Sequence, residues 1–104
     1  MLSSLKQRAA LQSRTLVPDG GGGFTENWQT IAAAWVEIVP LGANEKFGPD
    51  LLETRIRHRI TLRARSDVVA GMRLATASRS FTIRAVLERE ASNPLLTLLC
   101  EELP

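Results

Sequence analysis

The chain has 104 residues, 44% of them hydrophobic and 23% charged, and a formal net charge of +2. That length makes one domain, residues 1–104, with a modest core, and leaves no room for a cofactor domain beside a substrate domain. A single cysteine, Cys100, and a single histidine, His58, exclude an internal disulfide and a zinc cage, so neither metal nor cofactor is expected. No apolar run reaches about 18 residues and no cleavable leader is visible, which points to a soluble protein that does not take the secretory route or enter a membrane.

Met1 to Leu16 reads two ways. Leu2, Leu5, Ala9 and Gln12 suit a weak helix, the alternation of Arg8, Ala10, Gln12 and Arg14 with Ala9, Leu11 and Ser13 suits an edge strand, and propensity alone leans to the helix. Val17-Pro18-Asp19-Gly20 is turn chemistry, which Gly21, Gly22 and Gly23 extend into a flexible connection. A phosphate-binding loop is excluded there, because no Gly-Lys-Ser/Thr follows.

Asn27 to Val39 is expected to be a long strand covered on both faces for much of its length, since polar residues appear only at Gln29, Thr30 and Glu37. Trp28 and Trp35 are expected to anchor the core or an interface, and Pro40 ends the strand. Leu41 to Thr54 contains Gly42, Asn44, Gly48 and Pro49 and reads as a loop, with Asp50 placed to cap a short helical turn over Leu51–Arg55. Phe47, Leu51 and Leu52 are apolar side chains on that loop, so it is expected to be a docking element that changes order on assembly.

Arg55 to Arg65 separates by strict alternation. Arg55, Arg57, Arg59, Thr61, Arg63 and Arg65 share one face, while Ile56, His58, Ile60, Leu62 and Ala64 share the other, so the stretch is a strand with one wet face and one core face. Five guanidiniums spaced about 6.5–7 Å apart repel one another, and such a face wants phosphates or an acidic surface as partner. Ser66-Asp67 then turns the chain, and Val68–Gly71 leads to a second glycine turn. Met72, Leu74 and Thr76 form a short strand and Ala77–Ser80 a hairpin loop. Phe81, Ile83, Ala85 and Leu87 form the core face of the next strand, Glu88–Pro94 is a loop, and Leu95–Glu102 is the last strand. The whole reads as all-β: a small antiparallel barrel or sandwich with one long loop.

Charge is distributed unevenly. Residues 1–54 carry four basic and six acidic side chains, residues 55–84 carry eight arginines against Asp67, and residues 85–104 carry Arg89 against Glu88, Glu90, Glu101 and Glu102. An acidic–basic–acidic order lets copies dock basic edge to acidic edge, or lets the flanks pair with the middle inside one molecule. Catalysis has little support: His58 alternates onto the apolar face and Cys100 sits in an apolar run, so both read as structural, and no acid–base pair can be named. The arginine face can meet nucleic-acid phosphates without reading bases, yet it lacks the stacking aromatics of a single-strand binder.

Several pieces, taken together in order, carry a resemblance. They are the Gly20–Gly23 turn, Trp28, Trp35-Val36-Glu37-Ile38, Pro40-Leu41-Gly42-Ala43-Asn44-Glu45, His58 through Arg65, Asp67-Val68, Arg73-Leu74, Phe81-Thr82-Ile83 and Leu98-Leu99-Cys100-Glu101. Over nearly its whole length the chain resembles the tailed-phage head closure proteins, also called head–tail adaptors or stoppers, of which gene transfer agents carry similar small neck proteins. The resemblance implies a small β-barrel with a long loop, in which Met1–Leu16 contributes a strand. It further implies a homo-oligomeric ring of six or twelve copies in the neck of a particle assembled in the bacterial cytoplasm. The expected partners are portal and adaptor proteins on one side and a tail terminator or tail tube protein on the other. Packaged double-stranded DNA passes through such a ring and is a further contact. The alternative reading is a small monomeric nucleic-acid-binding barrel. On either reading Arg55, Arg57, Arg59, Arg63 and Arg65 are the expected contact face. In a ring, Glu88, Glu90, Glu101 and Glu102 are its acidic counter-surface, with Trp28, Trp35 and Phe81 as core anchors.

Overall fold

The structure, a computed structural model, describes residues 5–41 and 57–103. Six strands fill them: β1 (Gln7–Pro18), β2 (Phe24–Pro40), β3 (His58–Arg63), β4 (Arg73–Ala75), β5 (Ser80–Val86) and β6 (Leu95–Glu102). They form one antiparallel sheet in the order β1-β2-β3-β6-β5-β4, which closes where β4 pairs back onto β1. The all-β expectation therefore holds, and no helix occurs among the described residues. The helical turn expected over Leu51–Arg55, the docking residues Phe47, Leu51 and Leu52, and Arg55 itself lie outside the described residues.

β1 corrects the helical lean of the N-terminal segment. Ala9 and Leu11 are buried while Arg8 and Arg14 are exposed, a period of two that no helix can satisfy. The middle of β1 pairs with β2 on one side and with β4 on the other, so its backbone groups are satisfied twice over, and tertiary pairing overrides the modest preference of alanine and leucine for a helix. β3 keeps the alternation read from sequence. Ile60 and Leu62 are fully buried, and Arg59 and Arg63 point outward. The strand is shorter than the alternating stretch: the Arg57 N–H donates to the Cys100 carbonyl at 3.2 Å and the Ala64 N–H to the Pro94 carbonyl at 2.9 Å, just outside its two ends.

β2 is not covered on both faces. Val36 is buried and Ala32, Ala34 and Ile38 pack against the core, but Ile31 and Trp35 on the outside are exposed. Trp35, at 51% exposure, is not a core anchor of this chain. The cause lies in a β-bulge. Leu11 pairs with Ala32 but Gln12 pairs with Thr30, so Ile31 is an extra residue in β2 and the inside–outside phase reverses there. Trp28 and Trp35, seven residues apart, would face opposite sides of a regular strand. With the bulge both lie opposite the outward side chains of β1, Trp28 against Arg14 and Trp35 against Arg8.

Beyond the bulge, Ser13–Pro18 and Phe24–Gln29 pair only with each other and form a two-stranded arm. Its tip, where the glycine run led to the expectation of a flexible connection, is a turn closed by hydrogen bonds. Asp19 Oδ1 accepts from the N–H groups of Gly21 (2.8 Å) and Gly23 (3.1 Å), and the Asp19 N–H donates to the Gly23 carbonyl at 3.1 Å. Gly20 and Gly22 hold φ of +84° and +88°, which side chains disfavour.

A second bulge sits in β5. Ile83 pairs with Cys100 and Ala85 with Leu99, so Arg84 is the extra residue. Phe81 and Ile83 face the core as expected, but beyond Arg84 the inward position passes to Val86 and leaves Leu87 outside at 37% exposure. The core gathers Leu11, Val36, Ile60, Leu62, Leu74, Phe81, Ile83 and Leu98 from all six strands. Phe81 is completely buried among them, so Phe81→Ala is expected to cost about 3–5 kcal/mol in urea unfolding, and Trp35→Ala, on the outside, under about 1 kcal/mol.

Candidate functional site

The outer face of β3 lies between β2 and β6. Arg59 stands opposite Val39 on one side and Leu99 on the other, and Arg63 stands opposite Leu95. Arg57, Arg59 and Arg63 are exposed, and among the described residues no carboxylate lies within ion-pair distance of any of them. Arg65 differs. Its guanidinium grips Asp67 through two hydrogen bonds of 2.9 and 2.8 Å, which raises the Arg65 pKa and holds the Asp67 carboxyl below its usual range. Arg65 therefore differs from these three arginines, which have no ion-pair partner among the described residues.

Half of the expected acidic counter-surface is already engaged inside the chain. Arg84 pairs with Glu101 across the β5–β6 ladder. Arg79 holds Glu102 through Nε (2.8 Å) and Nη2 (2.9 Å). The intramolecular alternative is thus correct for Glu101 and Glu102, which leaves Glu88 and Glu90, both exposed, as the acidic groups turned outward. Two-point geometry makes the Arg79–Glu102 pair specific, although its partial exposure keeps the contribution small.

His58 joins this cluster. Arg79 Nη2 donates to His58 Nε2 at 3.1 Å, and the imidazole meets Phe81 edge to face with centroids 5.2 Å apart. A ring that accepts at Nε2 carries its proton on Nδ1, a buried atom without a partner among the described residues. Burial, and secondarily the Arg79 charge, push the His58 pKa below its ordinary value against the opposing pull of Glu102. His58 is thereby a neutral acceptor that helps position Arg79. Cys100 is fully buried, and burial alone raises its thiol pKa to about 12, so it packs as a small apolar side chain.

Two arginine–tryptophan contacts escaped the sequence reading. Arg8 lies 5.2 Å from the Trp35 ring centroid and Arg73 lies 3.9 Å from that of Trp28. Beside Trp35 opens a cleft of about 330 Å³ lined by Ala33, Ala34, Trp35, Arg63, Ala64 and Arg65. The alternation of β1 marks Arg8 as outward, but only the bulge at Ile31 reveals that both tryptophans share its face.

The described residues thus form a closed β-sheet that fills its interior with apolar side chains and carries its charges on the outer surface. The chain belongs to the phage head completion protein family, whose sequence pattern matches residues 2–103. That family consists of structural proteins of the virion, not enzymes. No curated protein sequence matches the chain. Among solved structures it is similar to a chain in the virion of a native gene transfer agent particle, at 24% identity and a TM-score of 0.67 over 94% of each chain. It is also similar to a Shigella flexneri 2a protein solved in solution, at 20% identity and a TM-score of 0.68, covering 93% of this chain and 91% of that one. At these identities both likenesses concern the fold.

The His58 cluster has a pH signature. Because the folded-state pKa lies below the unfolded value of about 6.5, the unfolded chain binds more protons in acid, and the contribution is complete above the unfolded pKa and is lost as pH falls from there through the lower folded pKa. Glu102, also lowered, adds a further loss below about 4.5. The urea midpoint is expected to drop between pH 7.5 and 5.5, and His58→Gln to flatten that drop.

Proposed function

We propose that the protein forms a ring in the neck of a phage or phage-like particle, between the portal–adaptor complex and the tail. There it closes the DNA exit after packaging and gives the tail its attachment surface. The observation that carries this reading is the family match across residues 2–103. The likeness to a chain of a gene transfer agent virion over 94% of both chains supports it. In this role the closed sheet is a rigid block, and its charged outer face is the adhesive. Particles lacking the protein are expected, by cryo-electron microscopy, to be heads without tails that lose their DNA. Complete necks with tails attached would refute the reading.

Within that ring we assign Arg57, Arg59 and Arg63 to contact with an acidic surface of a neighbouring subunit. Their support is their exposure together with Glu88 and Glu90 turned outward on the same chain. Exposed pairs contribute only about 0–1 kcal/mol each, so all three must be reversed together. Arg57→Glu, Arg59→Glu and Arg63→Glu in one chain are expected to prevent its incorporation into particles. The competing use, contact with packaged DNA, has the opposite readout: rings intact, DNA retention weakened, and a steep dependence on salt.

A further inference from the structure

The recess beside Trp35 is flanked by arginines and the end of β5 by glutamates, and β2 and β5 lie on opposite sides of the closed sheet. In the order β1-β2-β3-β6-β5-β4, β2 and β5 are three strands apart in either direction. A side chain pointing out from β2 and one pointing out from the end of β5 therefore face away from each other. Two unlike patches on opposite sides of a block are what a head-to-tail ring requires, whereas a two-fold dimer joins like to like.

On the β2 side, Trp35 stands half exposed against the roughly 330 Å³ cleft, with Arg8 stacked on its ring and Arg63 at the cleft's rim. The floor is alanine, Ala33 and Ala34, so the recess accepts an aliphatic side chain. On the β5 side, the second bulge turns Leu87 outward with Glu88 and Glu90 beside it. That loop is held in shape by Arg89, whose Nη1 donates to the carbonyls of Glu90 (3.1 Å), Ala91 (3.4 Å) and Asn93 (2.7 Å). Arg89 thus spends its donors on the loop backbone and leaves both carboxylates turned to solvent. One patch is a recess flanked by two arginines, and the other is an exposed leucine followed by two glutamates. Glu37, two residues along β2 from Trp35, is the carboxylate beside the recess and disfavours approach of the glutamates from its side.

We infer that Leu87 of one copy seats in the Trp35 cleft of the next, with Glu88 and Glu90 against Arg8 and Arg63. This rests on the ring reading above and names the contact that builds the ring.

The test is a chain carrying both Ala33→Cys and Leu87→Cys, incorporated into particles and oxidised there. Cys100 is buried and serves as a silent background. The two introduced thiols lie on opposite sides of one molecule, beyond the roughly 7 Å Cα separation a disulfide spans, so any bond must join copies. Expected on a non-reducing gel is a ladder from dimer to closed ring, absent from either single variant. A ring seen in the particles without a ladder overturns this contact and leaves the ring reading standing. Particles whose necks contain no ring of this protein overturn both. A second arm covers loss of assembly by the cysteine chain. Arg8→Glu with Arg63→Glu, or Glu88→Arg with Glu90→Arg, should each lower incorporation at least about tenfold. All four reversals in one chain should restore it, and failure to restore overturns the contact.

Discussion

Closure of the sheet is the constraint on which the rest depends, and it runs through three residue pairs: Ala10 with Ala75, Leu11 with Leu74 and Gln12 with Arg73. β4 is only three residues long, so it meets β1 at one place. There the two buried leucines, Leu11 and Leu74, face the interior. Closure removes the open edge that an antiparallel sheet of this size would otherwise offer to any passing strand. It also fixes which side chains can be inside, because every strand must present its apolar set to one small interior.

The bulge at Ile31 is the price of combining that closed block with a long arm. β1 leaves β4 after Gln12, and from there to Pro18 it has β2 alone as partner. An extra residue in β2 at that junction increases twist and reverses phase. The arm can then run on from the barrel wall while Ala32, Ala34 and Val36 still pack inside. Reversal at Ile31 also sets Trp28 on the same outer side as Trp35, with Arg8 of the neighbouring β1 over Trp35 and Arg73 over Trp28. Arg73 reaches across from β4, so the tryptophan ties the arm to the strand that closes the sheet, although the buried Arg73 Nε has no hydrogen-bond partner among the described residues.

Alternation along a strand was the legible part of the sequence. The inward set of β3, the inward Phe81 and Ile83 of β5, and the full extent of β6 follow from period two and turn residues, because burial of one face is a local property. The reading fails wherever a bulge intervenes. Trp35 read as core and Leu87 read as core are both outside, and nothing local to either residue marks the extra residues at Ile31 and Arg84. Register is a property of two strands, set by their partners across the ladder. The N-terminal strand was obscured for a related reason: its alanines and leucines are good helix formers, and only pairing on both sides decides against the helix. The charge split was visible as a sum, but not its wiring. Arg79 and Arg84 capture Glu102 and Glu101 because β5 and β6 are adjacent, which the sequence order of charges does not reveal.

That wiring bears on the proposed ring. Carboxylates held by in-chain arginines stabilise the barrel itself and are withdrawn from any contact between copies, so the charges left for the proposed contact are few: Glu88 and Glu90 against Arg57, Arg59, Arg63 and Arg8. A contact built from exposed pairs and one aliphatic knob is weak by itself, since each screened pair contributes little and association costs several kcal/mol of lost freedom. In the proposed assembly free copies at low concentration therefore stay apart, while on a particle a ring-shaped partner holds successive copies side by side, so that each lateral contact forms at a high effective concentration without new chemistry. Weak, directional, unlike patches on a rigid closed sheet are thus suited to assembly that waits for its template, where stronger or self-matching patches would aggregate the protein beforehand.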